Sequence, residues 1–174
     1  MDLKTVLITG AAVLAVVAVV PFALPSSKHV ERTAIINAEP AKLYKLIASN
    51  SGYQTFNPYK SADPDLKIDL KGPEFGVGSG FAFDGKDGKG TQTVSVVEEN
   101  RRVVMNIDLG AMGQPTQTFD HTQTNGGTKV TWGMDMEFGM NPIGRVMGLF
   151  MDGMIGKNFE QGLKNMSATV AKSA

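Results

Sequence analysis

The stretch TKVTWGMDMEF, residues 128–138, is the clearest β-strand in this chain and the one that decides its fold. Every second side chain, from Val130 through Trp132 to Phe138, is apolar, and the positions between them are polar or glycine. Successive side chains of a strand point to opposite faces, so this alternation predicts an antiparallel strand with one buried face and one wet face. A sheet built from such strands needs a further layer to cover its apolar face.

Six more strands are predicted around this one. Turns rich in Gly, Asn and Asp separate them, and the short connections favour antiparallel neighbours. The predicted strands are His29–Asn37, Leu66–Lys71, Ser79–Phe83, Gly90–Glu98, Arg102–Leu109 and Thr116–Thr124, with a helix at Ala38–Ser49 and an irregular stretch at Gly52–Pro64.

The chain after Asn141-Pro142 is predicted to form one long helix that covers the sheet. Apolar residues recur there at steps of three and four, from Ile143 to Val170. Five glycines interrupt this helix, at positions 144, 148, 153, 156 and 162. Each costs about 1 kcal/mol relative to Ala, so we expect either close packing on the sheet or a kink. The predicted fold class is therefore α+β, an antiparallel sheet packed on a long C-terminal helix.

The N-terminal segment differs from the rest of the chain in its hydropathy. Val6–Leu24 is almost entirely apolar, and as a helix it would span about 28 Å, close to the hydrocarbon thickness of a bilayer. We therefore predict a transmembrane anchor and linker at residues 1–27 and one further domain at residues 28–174. A cleaved signal peptide is the alternative, although this apolar run is longer than the usual core of such a peptide. Charges on both flanks leave the side of the membrane open.

The composition excludes several functional classes. Lys+Arg and Asp+Glu number 17 each, so the formal net charge is zero and no basic excess indicates nucleic-acid binding. The chain has no cysteine and only two histidines, which excludes disulfides, thiolate metal sites and His-rich metal sites. Asp84 and Asp87 lack the other oxygen ligands of a calcium loop, and no phosphate-binding loop is present. We therefore expect no metal or other cofactor.

Three stretches, taken together, resemble the START-like (SRPBCC) superfamily, in particular its polyketide cyclase/dehydrase and lipid-transport branch. The first is HVERTAIINA at residues 29–38. The second is Tyr53-x-x-Phe56-Asn57-Pro58-Tyr59, similar to the family's W-x-x-W-x-P-W element. The third, GLFMD and GKNFEQGL within residues 148–163, resembles the last helix of membrane-anchored bacterial members. The resemblance implies a helix-grip fold with a cavity between a curved sheet and the long helix, in a single-pass protein of the bacterial inner membrane.

The apolar residues expected to face such a cavity are the candidate ligand-binding residues. Six of the ten methionines fall between Met134 and Met154, and methionine suits surfaces that adapt to varied apolar ligands. The alternative is a packed core that uses methionine as filler. The candidate set is Phe81, Phe83, Trp132, Met134, Met136, Met147, Phe150, Met151 and Met154.

His121 is the candidate catalytic residue. If Phe119 faces inward, alternation places His121 on the same face, where it would act as a general base or hydrogen-bond anchor. Its polar neighbours favour the alternative, a histidine at a strand end on the surface.

These patterns predict a membrane-tethered domain that binds a hydrophobic small molecule or lipid by apolar burial. Two alternatives remain. A cyclase or dehydratase-like enzyme would need an acid–base pair inside the cavity, and a protein-interaction domain would need no ligand at all.

Overall fold

A computed structural model describes residues 19–172 and shows an α+β fold. The described strands are β1 (Ser27–Ile36), β2 (Lys67–Lys71), β3 (Gly80–Gly85), β4 (Gly88–Glu98), β5 (Arg102–Asp108), β6 (Thr116–Thr124) and β7 (Gly127–Glu137). They form one antiparallel sheet in the order β1-β7-β6-β5-β4-β3-β2. The helices are α1 (Pro40–Ile47), α2 (Asn50–Tyr53), α3 (Pro58–Ala62) and α4 (Pro142–Lys172), with a 3₁₀ turn at Gly110–Met112. The predicted antiparallel sheet and long C-terminal helix are confirmed.

The connection after α1 is more ordered than the sequence predicted. The stretch expected to be irregular, Gly52–Pro64, contains α3 and the end of α2, and each of these helices is begun by a side-chain cap. The Ser49 hydroxyl accepts a hydrogen bond from the Gly52 N–H at 3.0 Å, and the Asn57 side-chain oxygen accepts one from the Tyr59 N–H at 3.0 Å. Helices of four and five residues are too short for apolar periodicity to reveal them, so only their caps carry a sequence signal.

Strand β7 lies between β1 and β6 and carries the core of the domain. The predicted alternation is present, because Val130, Trp132 and Met134 are buried on its inner face. The Trp132 ring is fully buried and stacks on Phe159 of α4, with ring centroids 4.6 Å apart and planes at 17°. This stacking fixes α4 against the centre of the sheet.

Close packing explains most of the glycines in α4. A side chain at Gly162 would overlap the Trp132 ring, and one at Gly156 would overlap the Arg32 guanidinium. At Gly148 a Cβ atom would lie 2.7 Å from the Phe138 ring. Gly153 is different, because nothing lies within 4 Å of that position. The sequence predicted either close packing of α4 on the sheet or a kink, and close packing is observed wherever the helix faces the sheet.

Arg32 ties β1 to α4. Its Nε donates to Glu160 at 2.8 Å and its Nη2 donates to the Asp152 carboxylate at 3.0 Å. The bare backbone at Gly156 gives the guanidinium room to lie against the helix between these two carboxylates. The hydrogen bonds from Arg32 lower the pKa of Asp152, so this ion pair stays charged at neutral pH.

Most of the predicted membrane segment, Val6–Leu24, lies outside the described residues. In the described part of that segment, residues 19–23 are helical. Within residues 19–172, no helix is both long enough and apolar enough to cross a bilayer.

His121 lies in the core of the domain, not at its surface. Only 4 % of His121 is exposed, and on β6 it lies opposite Val130 of β7. The expectation that His121 lies on the same inner face as Phe119 is confirmed. Within the described part of the chain, neither ring nitrogen has a hydrogen-bond partner of acceptable geometry. Burial lowers the pKa of His121, and the Arg101 carbonyl and Asp120 carboxylate only partly oppose this effect. His121 is therefore neutral in the folded protein at neutral pH.

The glycine packing predicts opposite effects for the same substitution at two positions of α4. Gly162→Ala should lower the free energy of unfolding by about 1–3 kcal/mol, because the new methyl group must displace Trp132. Gly153→Ala should raise it by as much as about 1 kcal/mol, because only helix propensity changes there. Urea unfolding of both variants measures these differences, and equal effects at the two positions would contradict the packing account.

The buried His121 predicts a loss of stability on mild acidification. An unfolded histidine takes up a proton near pH 6.5 and the buried one does so at lower pH, so the free energy of unfolding should fall between about pH 7 and pH 5.5. The contribution of His29 to the free energy of unfolding has the opposite pH dependence. Its hydrogen bond to Asp135 raises its pKa, so this contribution is lost as the pH rises. The measurement is therefore urea unfolding against pH in His29→Gln, compared with His29→Gln/His121→Phe. The double variant should show a flatter profile, and an unchanged slope would contradict the assignment.

Candidate functional site

One cavity of about 210 Å³ lies between the inner face of the sheet and the helices. Strands β3 to β7 each contribute residues to its wall, α2 contributes Tyr53, and α4 contributes Ile155. The sheet bends at a β-bulge in β4, between Val94 and Val96, and such bulges increase local curvature. The fold therefore produces the cavity expected between sheet and C-terminal helix.

Alternation along the strands makes most of the cavity wall apolar. Phe81 and Phe83 are two residues apart on β3 and both line it, and Met134 and Met136 do the same on β7. Ile107 from β5 completes this part of the wall. Apolar lining with a few polar groups is the usual composition of a small-molecule site.

Five buried polar side chains lie in this mostly apolar wall, namely Tyr53, Asn57, Asp63, Gln92 and Gln117. Three of them, Tyr53, Gln92 and Gln117, meet in one place and form a polar trio. The Gln117 amide donates to the Tyr53 hydroxyl at 3.3 Å, and the Gln92 amide donates to the Met105 sulfur at 2.9 Å. A glutamine side chain has two N–H donors and a carbonyl acceptor, so these contacts use only part of its capacity. The polar trio can therefore hydrogen-bond a group that enters the cavity.

Burial determines the protonation state of Tyr53. Removal from water raises the pKa of its phenol, and the amides of Gln117 and Gln92 only partly oppose this shift. Tyr53 is consequently a neutral hydroxyl at physiological pH, able to donate or accept a hydrogen bond but not to act as a phenolate base. Because glutamine does not titrate, the trio as a whole is a set of neutral hydrogen-bonding groups.

The cavity reaches the surface beside the turn between β3 and β4, where the lining residue Asp87 is exposed. A second carboxylate, that of Asp63 after α3, holds this turn in place. It accepts hydrogen bonds from the backbone N–H of Lys86 at 2.8 Å and of Asp65 at 3.1 Å. Both oxygens of Asp63 are thus engaged in local structure at the cavity mouth.

The structure divides the predicted ligand-binding residues into two groups. Phe81, Phe83, Met134 and Met136 line the cavity, whereas Trp132 packs in the core behind it. The candidates from α4 lie outside the cavity: Met147, Phe150 and Met154 are exposed, and Met151 is half-buried against the core. His121 does not line the cavity either.

The placement of the α4 candidates follows from the rotation of the helix. Its inward row runs through Gly144, Gly148, Ile155 and Phe159, so in the first half of the helix glycine faces the sheet. The apolar residues at 143, 147, 150 and 154 form a neighbouring row that points to solvent. Apolar periodicity alone predicts that this row faces the cavity, and in the structure it faces solvent instead.

Sequence reasoning missed the polar trio. The available signal was a polar residue on an otherwise apolar strand face, as in Gln92 before Val94 and Gln117 before Phe119. A glutamine at such a position is more often at the edge of the buried region than inside it. Only the three-dimensional proximity of β4, β6 and α2 shows that these residues meet Tyr53 in one place.

Solved structures share this fold at low sequence identity. Protein MLL2253 from Mesorhizobium loti is 17 % identical with a TM-score of 0.58, over 84 % of this chain and 99 % of that one. Norcoclaurine synthase from Thalictrum flavum, in complex with dopamine and hydroxybenzaldehyde, is 12 % identical with a TM-score of 0.63, over 85 % and 88 %. The di-domain ARO/CYC protein StfQ of the steffimycin biosynthetic pathway is 11 % identical with a TM-score of 0.60, over 82 % of this chain and 50 % of that one.

A family model shows the family of this chain, although no curated protein matches the sequence significantly. The family model described as polyketide cyclase / dehydrase and lipid transport matches residues 27–171, nearly the whole of the described fold. The chain therefore belongs to the polyketide cyclase / dehydrase and lipid transport family.

Proposed function

We propose that this protein binds a compact hydrophobic molecule in the cavity between the sheet and α4, with one polar group of the ligand held by the polar trio. The observation that carries this proposal is the presence of Tyr53, Gln92 and Gln117 together in a mostly apolar, largely buried wall. Buried amides and hydroxyls are costly when their hydrogen bonds are not made. A ligand with a hydroxyl or carbonyl group would satisfy the remaining capacity.

The cavity volume favours a ring-sized ligand over a long-chain lipid. A cavity of roughly 150 Å³ accommodates benzene, so about 210 Å³ suits a substituted single ring. Burying roughly 200 Å² of such a ring contributes about 5 kcal/mol before the cost of association. The cost of association offsets much of this gain, so the expected dissociation constants are about a millimolar or weaker. A similar fold, that of norcoclaurine synthase, holds dopamine and hydroxybenzaldehyde.

The chemistry of the cavity supports binding in preference to proton transfer. A cyclase or dehydratase needs a group that changes protonation near neutral pH. The trio is neutral, Asp63 is engaged by backbone N–H groups, and His121 lies outside the cavity. The remaining lining carboxylate, Asp87, is exposed at the mouth.

We also propose that Val6–Leu24 tethers this binding domain to a membrane. The support is the length and apolarity of that segment, which match the hydrocarbon core of a bilayer. A tether of this kind would keep the cavity close to a lipid phase in which hydrophobic molecules accumulate.

The polar trio predicts discrimination between two probes that differ by one hydroxyl group, p-cresol and toluene. NMR titration of the wild type should give tighter binding of p-cresol, by as much as about tenfold, because one extra hydrogen bond contributes about 0.5–1.5 kcal/mol. Gln117→Leu should remove this preference and keep the binding of toluene. Gln123→Leu, exposed near the end of the same strand, is the matched control and should change neither affinity.

A second pair of variants locates the bound probe. Met136→Trp should fill the cavity and abolish binding of both p-cresol and toluene, whereas Met147→Trp should leave both affinities unchanged. Far-ultraviolet circular dichroism controls for folding of each variant. Failure of the wild type to bind either probe, or equal loss of binding in both tryptophan variants, would contradict the proposed site.

The tether predicts the behaviour of the full chain in cells. The protein should remain with the membrane fraction after an alkaline carbonate wash. Replacing Leu14 and Val17 by Asp should release it, because each buried charge costs about 2.5–3.5 kcal/mol of insertion free energy. The matched control is Leu14→Ile/Val17→Ile, which keeps the segment apolar. Release of the wild-type chain by carbonate would contradict the tether.

A further inference from the structure

The first half of α4 presents an apolar stripe to solvent, formed by Ile143, Met147, Phe150 and Met154. Their spacing of four, three and four residues places them on one face of the helix. Ile143 is 74 % exposed and Phe150 is 60 % exposed. A contiguous exposed face of this kind is unusual in a monomeric soluble protein and marks an interaction surface.

Arg145 attaches this part of α4 to the end of the predicted membrane segment. Its Nη1 donates to the backbone carbonyl of Phe22 at 2.7 Å and to that of Leu24 at 3.1 Å. The guanidinium also lies 5.8 Å from the centre of the Phe22 ring, which is within the range of a cation–π contact. The first turn of α4 is therefore fixed beside Leu24, the last residue of the apolar run.

We propose that the apolar stripe of α4 inserts into the interfacial layer of the same bilayer that Val6–Leu24 spans, an inference that rests on the proposed tether. If that run crosses the hydrocarbon core, Leu24 lies at its edge, and the Arg145 contacts place the start of α4 at the same depth. The composition agrees, because residues 140–154 carry only two charged side chains, Arg145 and Asp152. An apolar helix face held at that depth is buried by lipid in the manner of an interfacial helix.

Continuity between the two apolar surfaces favours lipid over a second protein copy. Val19, Val20 and Phe22 are exposed at the described end of the membrane segment, and Met140 is exposed just before α4. The apolar stripe therefore continues the surface that would already contact lipid, rather than forming a separate patch. A bilayer would bury the apolar residues of both surfaces at the same time.

The chain has no cysteine, so single cysteines introduced into the full-length protein can be labelled uniquely. The experiment places the fluorophore NBD at Phe150→Cys or Met154→Cys, reconstitutes the protein into phosphatidylcholine vesicles, and measures quenching by doxyl-labelled lipids. Ser167→Cys, exposed on the last part of α4, is the matched control on the same helix. Ala12→Cys reports separately on insertion of the predicted membrane segment.

The proposal expects quenching at positions 12, 150 and 154, and no quenching at 167. Quenching at 12 without quenching at 150 and 154 would overturn the stripe proposal and leave the tether intact. Absence of quenching at all four positions would overturn both. A blue-shifted but unquenched label at 150 would show that protein, and not lipid, covers the stripe. That protein would be either a second copy of the chain or residues 1–18 of the same chain. Dilution with unlabelled chain would reverse the blue shift in the first case and leave it unchanged in the second. Either of those results would also overturn the proposal.

Discussion

The contact between Trp132 and α4 is the constraint on which the rest of the structure depends. A fully buried indole stacks on Phe159, and the helix backbone can approach it only because residue 162 is glycine. The entropic cost of that glycine in a helix is offset by the close packing it allows. With α4 fixed at this point, its rotation is fixed too. The rotation determines which residues face the sheet, which reach the cavity and which remain in solvent.

The sheet could be predicted from sequence because period-two alternation is a strong and local signal. Residues 128–138 alternate without interruption, and the structure buries the side chains that the alternation placed inside. The short helices α2 and α3 could not be predicted in the same way. Each depends on one capping side chain, Ser49 or Asn57, and such caps also occur in plain turns.

The candidate site was only half predictable, and the reason differs between its two sides. On the sheet side, alternation correctly placed Phe81 and Met134 in the cavity wall. On the helix side, glycine and apolar residues occupy adjacent rows of α4. Hydropathy predicts that the apolar row is buried, whereas the glycine row is the one that faces the sheet. Gly148 faces Phe138 and Met147 faces solvent, which is the reverse of what side-chain hydropathy indicates. Backbone packing through glycine leaves no apolar signal in a sequence.

The same rotation explains how one helix serves two surfaces of different chemistry. Ile155 lines the cavity and the preceding residue, Met154, is exposed, because neighbouring residues on a helix are about 100° apart. The inner surface needs few side chains of its own, since glycines let the sheet approach the helix backbone. Apolar residues on the outer surface are consequently not required for the core, and any burial of them needs a partner outside the described fold. The glycine row that seats α4 on the sheet is thus also what leaves its apolar stripe available.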